Sequence, residues 1–127
     1  MPQMAKLFRA LADANRLRII NILSHRDLCV CDLQSVLGLS QPFISRHLAY
    51  LRRVGLVRDR RQGPRVCYSL ALAGATGEAL RALLRVAAQD SLTFQSDLRM
   101  LFDQAAAGRL KSNVEIDGPE QLKSQAA

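Results

Sequence analysis

No apolar run in this chain approaches the roughly 20 residues that a membrane-crossing helix needs, although 49% of its 127 residues are apolar. The opening residues, MPQMAKLFRALAD, are amphipathic and lack a continuous apolar segment followed by a small-residue cleavage site, so no secretory leader is expected. The signatures of nucleotide and covalent catalysis are missing too. There is no P-loop, no G-x-G-x-x-G, no nucleophile elbow and no Cys-x-x-Cys, and only His25 offers a general base near the thiols. An enzyme is therefore not expected. Histidine is scarce, at two residues, and cysteine is scarce and odd in number, at three. A reducing compartment would keep those three as thiols. No internal repeat is present. What remains is a soluble, cytoplasmic protein of one main domain, long enough to bury a core without staples.

The charge that is present is unevenly placed. Of a formal +7, a local +5 lies between Arg52 and Arg65, where RRVGLVRDRRQGPR holds six arginines against one aspartate. A basic stripe of this kind is the footprint of phosphate binding. A solvated arginine-rich face, or one that meets an acidic partner, is the alternative.

Apolar residues recur at helical spacing through Leu7 and Leu11, then Leu17, Ile20, Ile22 and Leu23, with Asp13 as the N-cap between two helices. A third helix spans about Val30 to Leu37 and stops at Gly38. A fourth is capped by Ser40 or Gln41, carries Pro42 in its first turn, and ends near Val54–Gly55. Two strand-like runs, LVRDR and VCYSLAL, flank the turn residues QGP. A long helical pattern follows Gly74–Gly77, with a kink or break at Asp90–Ser91. The expected fold is mainly α with a two-stranded β-hairpin wing, a winged helix-turn-helix occupying residues 1–110. Residues 111–127 turn polar and read as a flexible tail.

On the fourth helix, Ile44, Leu48 and Leu51 fall within about 60° of one another and must face the core. The other face presents Pro42, Phe43, Ser45, Arg46, Ala49, Tyr50 and Arg53, with no acid between Gln41 and Arg53. That composition suits insertion beside phosphates, with Ser45 and Arg46 reaching base edges. Ser40 and Gln41, at the helix N-terminus, are placed for phosphate. His47 reads first as a packed or hydrogen-bonded core-edge residue, with a base contact or a ligand as the alternative, and Tyr50 reads equally well as half-buried packing. The hairpin arginines Arg58, Arg60, Arg61 and Arg65 would lie along the DNA backbone or minor groove.

At this point LCVCDLQSVLGLSQPFISRHLAYLRRVGLVRDRRQGPRVCYSL resembles the ArsR/SmtB family of small winged-helix repressors, and its arsenic-responsive branch most of all. The resemblance extends from about Leu7 to Leu72. It implies a homodimer joined through N- and C-terminal helices, two recognition helices in successive major grooves of double-stranded DNA, and a palindromic operator released on ligand binding. Under it Leu80, Leu83, Leu84 and Ala87 are candidates for the dimer seam, or alternatively cover the monomer core. It implies no required cofactor, an As(III) or Sb(III) inducer, and no membrane partner. The His and acid pairs through which zinc-type members bind are absent from the C-terminal helix.

Three readings compete for Cys29 and Cys31. Burial as small hydrophobes is one, but the two differ by about 200° on an ideal helix and cannot share one buried stripe. Metal or metalloid binding is the second. Cys29-Val30-Cys31-Asp32 has the pattern of a capping box with a thiol in the cap, where unpaired N–H groups would favour the thiolate. Soft thiolates select soft ions such as As(III) and Sb(III), or Cd(II) and Pb(II). Convergence of the two sulfurs on one atom would then require the start of the third helix to unwind or shift, misplacing the recognition helix. Redox or persulfide sensing by the same pair is the third. Arsenic-responsive relatives often carry a further cysteine where this chain has Gln34, leaving a third ligand open. Cys67 reads as a buried strand cysteine, since the hairpin should lie beyond the recognition helix; its reaching the pair is the alternative.

Overall fold

The computed structural model describes residues 2–112. Helix α1 (Pro2–Leu11) and helix α2 (Ala14–Leu23) are separated where the Asp13 carboxylate accepts from the amides of Asn15 (2.9 Å) and Arg16 (3.0 Å), a side-chain N-cap. Strand β1 (Leu28–Cys29) leads directly into α3 (Val30–Leu37). That helix ends at Gly38, whose φ of 69° a side chain would resist. Helix α4 (Gln41–Arg53) starts from Ser40, with Pro42 in its first turn. Strands β2 (Val57–Gln62) and β3 (Arg65–Leu70) form the hairpin, and α5 (Gly74–Asp90) and α6 (Leu92–Ala106) complete the described elements.

The apolar stripes meet in one core. Ile19, Ile20 and Ile22 of α2, Leu33 of α3 and Ile44, Leu48 and Leu51 of α4 are fully buried together with Leu28 and Leu56. The three α4 residues are those whose angular clustering marked them for the interior.

Four features refine or depart from the sequence expectation. The sheet has three strands in the order β1-β3-β2, because the two residues before α3 pair antiparallel with β3, Leu28 opposite Tyr68 and Cys29 opposite Cys67. The Asp90–Ser91 break is complete: the Ser91 hydroxyl caps α6 by accepting from the Phe94 amide at 3.1 Å. Leu80 and Leu84 are buried within this one chain, so these two cover its own core, while Leu83 stays exposed and Ala87 is half-buried. Finally, Lys111 and Ser112, expected to begin the flexible tail, are tied down; the remainder of that segment, 113–127, lies outside the described residues.

Helix α6 and the residues after it grip α3 along its length. At the C-terminal end, Arg18 of α2 forms a two-pronged pair with buried Asp97 (2.9 Å on each oxygen) and also donates to the Leu37 carbonyl at 3.0 Å. In the middle, the Ser35 hydroxyl donates to Gln104 Oε1 at 2.9 Å. At the N-terminal end, the Asp32 carboxylate accepts from the backbone amides of Lys111 (2.6 Å) and Ser112 (2.7 Å). On the outside, Met4 and Phe8 of α1, Leu83 and Val86 of α5, and Leu92, Met100 and Phe102 of α6 remain exposed.

Candidate nucleic-acid interface and thiol site

Helix α4 presents a surface built from its own sequence order. Burial of Ile44, Leu48 and Leu51 turns Arg46 and Ala49 fully outward and leaves Phe43, Ser45, His47 and Tyr50 half-exposed. The Ser40 hydroxyl is engaged as the cap, accepting from the Phe43 amide at 3.4 Å. Gln41 Nε2 donates to Ser45 Oγ at 2.8 Å, so these two side chains form one polar unit on the first turn. Arg46 stands 5.8 Å over the Phe43 ring, and His47 meets the same ring edge-on at 4.6 Å. Burial and the neighbouring arginine charges push the His47 pKa down, with Asp13 opposing them, in keeping with a packing role. Tyr50 lies between two guanidinium groups, Arg16 at 4.3 Å and Arg53 at 5.5 Å. Arg16, which sequence reading passed over, thereby joins α2 to α4.

The wing carries the expected charge. Arg58, Arg60, Arg61 and Arg65 are exposed along β2 and β3, and the single acid among them, Asp59, is paired with Arg52 at 2.9 Å. Helix α4 packs on β2, and both elements expose arginines: Arg46, Arg52 and Arg53 on the helix and Arg58, Arg60, Arg61 and Arg65 on the wing.

The thiols of Cys29 and Cys31 sit at the start of α3. Cys29 is the N-cap residue in extended conformation (φ −82°, ψ 168°), and its amide donates to Asp32 Oδ2 at 3.4 Å to close the reciprocal cap. Its thiol donates to the same oxygen at 3.1 Å. Cys29 and Asp32 are buried, whereas Cys31 is exposed. Among the described residues, Cys29, Cys31 and Asp32 form the one group of three potential metal donors lying within 4.8 Å of one another.

This geometry corrects three expectations. The two sulfurs already lie 2.8 Å apart with α3 intact, because the cap residue's extended backbone swings Cys29 over the first helical turn; convergence needs no unwinding. The Cys29 pKa is pushed well up, by burial first and then by the neighbouring Cys31 thiol, with the Asp32 charge adding to both; these outweigh the helix-start amide that favours the thiolate. And Cys67 does not lie beyond the recognition helix. Strand β3 is the central strand, which sets Cys67 directly opposite Cys29, although its sulfur is turned toward Gln62 Oε1 at 3.1 Å. Asp32 is the residue whose part in this arrangement sequence reading undervalued: it was visible as the third position of a capping box, but not as an anchor for residues 79 and 80 positions away.

The model of the bacterial regulatory protein arsR family matches residues 13–59, from the α2 cap to the middle of the wing. Over a wider span, the solved structure of HlyU from Vibrio cholerae superposes with a TM-score of 0.59 at 34% identity, covering 69% of this chain and 90% of that one. The chain belongs to the arsR family. The arsenical resistance operon repressor of Escherichia coli K12 is 56% identical over 66 residues, 51% of this chain and 56% of that protein. The homodimeric winged helix-turn-helix DNA-binding domain of a Mycobacterium bovis protein superposes with a TM-score of 0.60 at 32% identity, covering 70% of this chain and 81% of that one. This member of the arsR family spans about half the length of the curated relatives it matches. Those relatives are named as transcriptional regulators, in line with the absence of enzyme motifs. Among the described residues, no helix is long and apolar enough to cross a membrane.

Proposed function

We propose that this chain is a homodimeric transcriptional repressor that binds a palindromic operator and leaves it when As(III) or Sb(III) is taken up by Cys29 and Cys31. The observation that carries this reading is the pair of sulfurs 2.8 Å apart at the start of α3, the helix that precedes and packs on α4. Two soft donors at that separation suit a thiophilic trivalent ion. The name of the Escherichia coli relative supports the same inducer. The exposed apolar residues of α1, α5 and α6 support a second copy as the partner, since such a patch is costly to leave in water. Of the four α5 candidates, exposed Leu83 is the one offered to that seam.

Release works through the cap rather than through unwinding. The Cys29 thiol gives up its proton when it binds the inducer and ceases to donate to Asp32. An electron-rich sulfur then faces the carboxylate that holds Cys29, Lys111 and Ser112. A hydrogen bond to a charged group contributes about 1.5–3 kcal/mol, and each 1.4 kcal/mol is about tenfold in an equilibrium. Loss of one such bond at the start of α3 therefore shifts operator affinity by at least tenfold if the bound state requires it.

A second reading, thiol oxidation as the signal, is favoured by the same close sulfur contact. Both are tested by fluorescence anisotropy with a panel of duplexes. Binding should prefer a palindrome over random DNA, weaken steeply between about 50 and 200 mM salt, and be lost on adding arsenite or antimonite. Binding without sequence preference refutes the repressor; release by peroxide but not by arsenite refutes the metalloid inducer in favour of oxidation.

A further inference from the structure

We propose that Cys67 supplies the third sulfur, so that trivalent arsenic is held by Cys29 and Cys31 from the start of α3 and by Cys67 from the central wing strand. The proposal rests on the reading of the thiol pair as an As(III) site. Its basis is the strand register. Cys29 and Cys67 are direct partners in the antiparallel β1–β3 pair. Direct partners project from the same face of a sheet, with Cβ atoms about 4.5–5.5 Å apart. The adjacent partners, Leu28 and Tyr68, project to the opposite face, where Leu28 is fully buried in the core and Tyr68 packs against it. Cys29 and Cys67 therefore lie on one side of β1, with the Cys31 sulfur beside that of Cys29, although Cys29 and Cys67 are 38 positions apart in the chain.

Access and mobility favour the same assignment. Cys67 is 4% exposed and Cys29 1%. Yet Cys67 also lines a cavity of about 300 Å³ on the wing, with Asp27, Arg60 and Ser69 among its walls. The Cys67 sulfur is held by Gln62 at 3.1 Å and lies outside the tight Cys29/Cys31/Asp32 group. Moving it inward asks for rotation of the Cys67 side chain and release of its contact with Gln62.

The chemistry then closes. Arsenous acid has three hydroxyl groups. Each thiol forms one S–As bond as one As–O bond breaks, and the thiol proton leaves with the hydroxide as water: three thiols in, three waters out, with arsenic and sulfur unchanged in oxidation state. Two protein thiols alone would leave one As–OH within the site. Engagement of Cys67 also detaches it from Gln62, the last residue of β2, so the wing that carries Arg58, Arg60 and Arg61 is drawn into the same event as the cap of α3.

Arsenic K-edge X-ray absorption on the full chain, loaded with one equivalent of arsenite in buffer free of added thiol, tests the proposal. The expected result is three As–S bonds in the wild type and two As–S plus one As–O in both Cys67→Val and Cys67→Ser, with arsenite affinity falling about tenfold or more. Cys67→Val keeps an apolar strand residue and guards against a merely unfolded variant, which circular dichroism would reveal. Two sulfurs and one oxygen in the wild type, or three sulfurs surviving in the Cys67 variants, would overturn the assignment of Cys67 while leaving the thiol pair intact. Arsenic coordinated by oxygen alone would refute the metalloid-site reading itself.

Discussion

Asp32→Asn removes one charge and one acceptor from a carboxylate that serves four donors at once. Oδ1 accepts from the Lys111 amide at 2.6 Å, and Oδ2 accepts from the Ser112 amide at 2.7 Å, the Cys29 amide at 3.4 Å and the Cys29 thiol at 3.1 Å. A side-chain amide has one oxygen, so whichever way the substituted side chain turns, one of the two short contacts becomes N–H against N–H. Ser112 is buried, leaving little water to substitute. A hydrogen bond to a charged partner contributes about 1.5–3 kcal/mol, and a stranded buried donor costs about 1–3 kcal/mol. Taking the overlap of these effects, the variant should lose about 2–4 kcal/mol. Urea denaturation should show the midpoint falling with an unchanged slope, and hydrogen exchange should show the Lys111 and Ser112 amides losing protection. A loss below about 1 kcal/mol, or unaltered exchange at those two amides, would refute the role given to Asp32 as the clasp between α3 and the residues that follow α6.

Other consequences follow from single contacts. Asp13→Ala removes the cap of α2 and should cost about 1 kcal/mol, within roughly 0.5–2, read as a thermal or urea midpoint shift. The hydrogen bond from the Arg16 amide, ahead of the other causes, holds the Asp13 pKa below its ordinary 3.8, so the stabilisation is present above that pH and fades as pH falls through the lowered value. The Cys29 thiol behaves in the opposite sense. Its pKa is raised above the ordinary 9.0, so the unfolded chain loses the proton first. Stability is unaffected below about pH 9 and then falls by about 1.4 kcal/mol per pH unit; urea titrations in that range should show the slope, and Cys29→Ala should lack that share of it. Replacing Arg60 or Arg61 with alanine should weaken binding to all duplexes alike and reduce the salt slope by about 1 each, whereas Arg46→Ala should change sequence preference.

The helices were readable because their signals are local. Asp13, Gly38, Ser40 and Pro42 each act on the turn in which they stand, and the Ile44, Leu48, Leu51 stripe has the period of a helix. Strand β1 was not readable. Two residues hold no alternation to detect, and Leu28–Cys29 is a strand only because β3 lies beside it. That one omission also misplaced Cys67, since a two-stranded wing gives no reason to fold back toward the thiols. The clasp of Asp32 on Lys111 and Ser112 and the pair of Arg18 with Asp97 were hidden for a related reason: partners 79 or 80 positions apart share no local pattern. Ideal helical angles misjudged the sulfurs of Cys29 and Cys31, because the first of them belongs to the extended cap and not to the helix. The same displacement from helix to strand end buries Cys29 and raises its pKa, where the helix start alone would have lowered it.

Anisotropy titration of one operator duplex with arsenite, run side by side on the wild type, Cys29→Ser and Cys31→Ser, tests the coupling of thiols to DNA most directly. All three proteins should bind the duplex before arsenite is added, and only the wild type should release it. Release of both variants at the arsenite concentration that frees the wild type would contradict the assignment of Cys29 and Cys31 as the sensing site.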